Sequence, residues 1–138
     1  MVKKTEIGDA KMIKVTLSVG ELIDKITILQ IKNKFIKNKD QLKNINNELS
    51  ILEPLLKKNK LNTPEINQLL SELYKVNMEL WEIEDQIREK ERKSDFKDEF
   101  ITLARSVYIT NDKRAKIKKN INLISGSQLI EEKSYAKY

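Results

Sequence analysis

The chain has 138 residues, 39% hydrophobic and 35% charged, with a net charge of +6, enough for one domain with a modest core. It contains no Cys and no His, which excludes the common zinc sites, c-type haem attachment, iron–sulfur ligation, thiol chemistry and any Ser–His or Cys–His nucleophile pair. No metal and no cofactor is expected. Three Gly and two Pro leave too few turns for a many-stranded fold, so the fold class is all-α. No apolar run approaches the ~20 residues of a membrane helix, and no signal-peptide pattern opens the chain. The expectation is a cytoplasmic protein without membrane insertion. The positive charge is carried by 23 Lys against 4 Arg and forms no concentrated basic arm, so nucleic acid is not an expected partner.

Residues 1–11 are polar and read as a loose terminus. Residues 12–17 alternate apolar and polar, which predicts a short strand or extended arm. Ser18-Val19-Gly20-Glu21 is a capping box, in which the serine accepts from the Glu21 amide and the glutamate reaches back. It opens helix 1, expected over 19–58, with a possible break at 37–40 where the apolar stripe changes phase. Leu22, Ile26, Leu29 and Ile36 make one stripe; Ile28, Ile31, Phe35, Leu42, Ile45, Leu49 and Leu52 make the other. Pro54 kinks or ends the last turn.

Thr63-Pro64-Glu65 is a second start, with Thr63 as N-cap and Pro64 at the first helical position. Helix 2, expected over 64–92, carries a coiled-coil-like stripe from Ile66 through Leu73, Val76 and Leu80 to Ile87. Ser94 or Asp95 caps helix 3, expected over 96–125 and closed by Gly126. Its stripe holds two polar residues, Thr110 and Arg114, where apolar ones belong; a turn at 110–112 is the alternative to one continuous helix.

Short loops make the three helices an antiparallel bundle over 18–126, with an N-terminal arm (1–17) and a C-terminal tail (127–138) packed on it. Counting from the loops puts Ile45, Asn77 and Asn111 in one layer and Asn38, Glu84 and Ala104 in another. Helix 1 then outruns its neighbours, and Leu22, Ile23, Ile26 and Leu29 form an exposed apolar overhang. Either a second subunit buries that overhang, making a homodimer, or the chain folds back at 37–40 as a fourth helix.

No classical phosphate loop is present. What stands out is a polar set on apolar helices: Trp81, Glu84, Asp85 and Arg88 on helix 2, with Arg105, Tyr108, Asn111, Asp112 and Arg114 on helix 3. Three of the four arginines fall here although lysine is the usual cation of this chain, which points to a need for the planar guanidinium. One reading is a buried network with Glu84 paired to Arg105 or Arg114 that fixes helix register. The other is a pocket in which Arg105 and Arg114 bind an anionic small molecule, such as a sugar phosphate, nucleotide or carboxylate, against Trp81 or Tyr108. Asp24 and Lys25 read as exposed charges. No residue is assigned a catalytic role; the preferred reading is a non-catalytic dimeric interaction or regulatory module with a protein partner.

The segments Gly20 to Leu29 (GELIDKITIL), Leu80 to Arg88 (LWEIEDQIR), Phe100 to Asn122 and Gly126 to Tyr135 resemble a bacterial and phage family, domain of unknown function 6165. The resemblance implies a small helical protein, sometimes attached to larger sugar-transferring proteins, with no established activity and no catalytic residues to carry over. A looser likeness to the helical chorismate mutases lacks the arginine those enzymes place on their first helix.

Overall fold

The computed structural model describes residues 12–138, so the expected loose terminus 1–11 lies outside the described residues. Among the described residues there are five helices: α1 (Val19–Phe35), α2 (Lys39–Leu52), α3 (Pro54–Lys58), α4 (Pro64–Arg92) and α5 (Asp98–Ser125). Among the described residues there is no strand; 12–17 are irregular and exposed, so they pair with nothing as a strand would. No helix among them is long and apolar enough to cross a membrane.

Helix 1 is not one helix over 19–58. Ile36 takes an extended conformation (φ −76°, ψ 134°), and Asn38 starts α2 by accepting from the Gln41 amide at 3.0 Å. The fold-back lets Ile45 and Leu49 of α2 cover Ile26 and Leu29 of α1, with Leu22, Ile36 and Leu52 at the edge. The expected overhang therefore does not exist: Ile23 and Ile26 are fully buried and Leu29 nearly so. The second stripe is divided by the turn: Ile28, Ile31 and Phe35 lie on α1 beside the first stripe, and Leu42, Ile45, Leu49 and Leu52 lie on α2. Pro54, which has no N–H to donate, separates α2 from the single turn of α3.

α1 packs on α2, α4 and α5, whereas among the described residues α2 packs on α1 and α3 alone. Ile23 of α1, Leu61 and Leu73 from the α4 side and Ile121 of α5 close a second core. Along α1, Asp24 meets Asn77, and Phe35 reaches Trp81, so α1 runs parallel to α4. The expected layers, which had helix 1 antiparallel to helix 2, are thereby replaced: Asn77 is level with Asp24, not Ile45. α5 is continuous through 110–112 and ends on Gly126 in the left-handed region (φ 70°), but it starts at Asp98, two residues late.

Two helix ends turn on non-glycine residues in the left-handed region. Lys60 (φ 55°) follows α3, where the Leu61 N–H donates to the Leu56 carbonyl, and Ser94 (φ 51°) follows α4, where the Asp95 N–H donates to the Lys90 carbonyl. A side chain there costs roughly 1–2 kcal/mol in steric contact, offset in glycine by its larger backbone entropy. Lys60→Gly and Ser94→Gly are each expected to stabilise the fold by about 0.5–1 kcal/mol, read as a higher urea midpoint at unchanged slope.

Candidate functional site

The start of α1 is held by three side chains. Ser18 Oγ accepts from the Glu21 amide (3.1 Å), Asn122 Oδ1 from the Gly20 amide (2.6 Å) and Ser127 Oγ from the Val19 amide (3.2 Å). Gly20 is required by proximity, since a Cβ there would sit 2.6 Å from the Lys118 carbonyl oxygen of α5. Only half of the expected capping box forms. The Glu21 carboxylate instead takes the Lys118 ammonium at 2.7 Å.

One turn further along α1 lies Asp24, 1% exposed rather than the surface charge its sequence context implied. Arg114 of α5 grips it with two donors, Nε to Oδ1 at 3.0 Å and Nη2 to Oδ2. Asn77 Nδ2 of α4 donates both to Asp24 Oδ1 and to Thr27 Oγ1, each at 2.9 Å, and the Thr27 hydroxyl donates to the Asp24 carbonyl at 2.8 Å. Lys118 Nζ stands 3.7 Å from Asp24 Oδ2 and also pairs with Glu131 of the tail at 3.1 Å. Among the described residues no buried side-chain polar atom lacks a partner. Lys25, in contrast, is exposed and pairs with Glu48 of α2 at 3.2 Å.

The Asp24 carboxylate holds the Arg114 guanidinium above its already high ordinary value. Burial pulls the Lys118 ammonium down, but its bonds to Glu21 and Glu131 outweigh that and raise it. The Lys118 ammonium in turn holds the Glu131 carboxyl below its ordinary value.

Beside this network opens a groove of about 570 Å³ between the end of α1 and the α4–α5 pair. Ile28, Ile31 and Leu80 form its apolar wall; Trp81, Glu84, Asp85, Arg88 and Arg114 line the rest with Asn77. The Trp81 indole stacks on Phe35 with centroids 5.5 Å apart and planes 16° from parallel. Five of the nine residues proposed from sequence thus come together. The other four do not line it. Arg105 Nε donates to the Tyr108 hydroxyl at 3.4 Å on the outer face of α5, and Asn111 Oδ1 accepts from Arg114 Nη1 at 3.5 Å. The Asp112 carboxylate holds the Tyr138 phenol above its ordinary value, and the Tyr138 ring meets Tyr108 edge-on at 5.0 Å. Glu84 pairs with Arg88 (3.5 Å) and with neither Arg105 nor Arg114.

The family model described as a family of unknown function (DUF6165) matches residues 13–138. The chain belongs to this family. No curated protein and no solved structure matches it. The match to the DUF6165 model covers every residue of the Asp24 network and of the Trp81 groove.

The network and the groove differ in what they can do chemically. Asp24, Arg114 and Asn77 satisfy one another, leaving no free nucleophile or base. Thr27 and Lys118 were not singled out by sequence, while Glu21 was read as a capping residue and Glu131 as part of the tail. A signal for Lys118 existed in α5, where Thr110, Arg114, Lys118 and Asn122 repeat at four-residue spacing. Asp24→Ala is expected to cost about 3–5 kcal/mol by stranding Arg114, with a coupling of about 1–3 kcal/mol in a cycle with Arg114→Ala. Because the folded-state value of Lys118 is raised, its stabilisation is full below the ordinary 10.5 and is lost as pH rises through the folded value. The stability gap between the native protein and Lys118→Met, measured by urea unfolding, should stay flat from about pH 6 to 9 and narrow only above 10.5.

Proposed function

We propose that the protein is a non-catalytic helical interaction module, with the Trp81 groove and the adjoining α4–α5 hairpin as its recognition surface. The observation that carries this reading is the division of the molecule into two halves. Around Asp24 every polar group is matched, while from Met78 to Ile109 no residue is buried although Leu80, Ile83, Ile87, Leu103 and Val107 continue the apolar stripes. Two helices alone cannot enclose such stripes, and half-covered apolar surface next to an aromatic stack is a common form of protein contact site.

The second reading, an anionic small molecule bound through Arg105 and Arg114, is less well supported. Arg114 is neutralised by Asp24, Arg105 lies outside the groove, and Glu84 and Asp85 offset Arg88 and Arg114 in its lining. Phosphate binding favours unpaired cations. A thermal-shift panel of phosphorylated sugars, nucleotides and dicarboxylates decides between the two. The expected result is a flat response; a rise of several degrees that disappears in Arg88→Ala would establish the small-molecule reading instead.

A further inference from the structure

The surface around Trp81 carries both signs of charge side by side. On one flank, Lys34, Lys37 and Lys39 at the α1–α2 turn are exposed and make no ion pair among the described residues. Lys34 Nζ lies 5.5 Å from the centroid of the Phe35 ring, which is itself stacked on Trp81. On the other flank, Glu84 and Asp85 line the groove. Asp85 has no cationic partner among the described residues, and the Glu84–Arg88 pair is well exposed and weakly held. The half-exposed Phe35 (39%) and the Trp81 indole mark the border between the two flanks.

A surface of this kind restricts its occupant. A uniformly basic partner would satisfy Glu84 and Asp85 but oppose the three lysines, and an acidic one would do the reverse. A two-fold axis through the border places each flank against its opposite, which is the condition an isologous contact must meet. Resting on the reading of the groove as a protein contact site, we infer that it takes a second copy of this chain. Lys34, Lys37 and Lys39 of each copy face Glu84 and Asp85 of the other, and the paired Phe35–Trp81 stacks meet at the axis. The dimer expected from the sequence is thus relocated, from the Leu22–Leu29 segment now inside the core to the far end of the same helix.

The test is a charge swap followed by sedimentation equilibrium or light scattering at micromolar to 100 µM protein. Native protein should give twice the chain mass of 16.2 kDa, with dissociation favoured by salt. Reversing the base flank (Lys34→Glu, Lys37→Glu, Lys39→Glu) or the acid flank (Glu84→Lys, Asp85→Lys) should each weaken self-association about tenfold or more, at unchanged thermal midpoint. Mixing the two reversed proteins should restore the dimer, because one then presents two acidic flanks and the other two basic ones. A strict monomer at every concentration, or a dimer indifferent to both reversals, overturns the inference. These outcomes leave the module reading intact, whereas a ligand response lost in Arg88→Ala removes both.

Discussion

A carboxylate with 1% exposure is tolerable only where cations and donors surround it, and Asp24 draws one such group from each of the two other long helices. Arg114 supplies the charge from α5 and Asn77 the neutral donor from α4, so the three helices are fixed in register by one side chain. The geometry is selective because the guanidinium fork and the amide can be satisfied together at only one relative height. Lys118 extends the arrangement to Glu21 on α1 and to Glu131 in the tail, which ties the last dozen residues to the start of the first helix. The apolar cores on either side would tolerate sliding; the charged layer would not.

The rest of the architecture follows from that fixed crossing. Gly20 brings α1 against α5 one turn before Asp24, and the side-chain caps on Val19, Gly20 and Glu21 use the free amides there. Beyond Asp24, α1 runs along α4 as far as the Phe35–Trp81 stack and then turns away into α2. α4 continues for eleven residues past Trp81, about 16 Å at the helical rise, with α5 as its companion. A locked base and an open far half therefore arise from a single event, the exit of α1 from the helical path at Ile36.

The tail illustrates how weak contacts can still set a path. Its apolar residues Leu129, Ile130 and Tyr135 remain exposed. Ion pairs of Lys118 with Glu131 and of Lys119 with Glu132, followed by Tyr138 on Tyr108, lay it back along α5. Of these, the Lys118 contact is the one with a buried partner and carries most of the weight.

Local rules in the sequence determined much of this protein. The caps at Ser18 and Thr63, the prolines at 54 and 64, the glycine stop at 126 and the helical spacing of the apolar residues act within a few positions of one another, and each appears in the folded chain. The polar intrusions at Thr110 and Arg114 were equally legible as anomalies, and so was a wider polar set on the two helices, of which Trp81, Glu84, Asp85, Arg88 and Arg114 line the groove. Tertiary structure alone decided which partner Arg114 takes and whether Asp24 is inside or out. Those choices depend on the direction of α1, and that direction turns on three residues at 36–38 where a continuous and a folded helix satisfy the local rules almost equally. What separates them is long-range: only the fold-back buries Ile26 and Leu29 under Ile45 and Leu49, and only then does Asp24 stand level with Asn77 and Arg114.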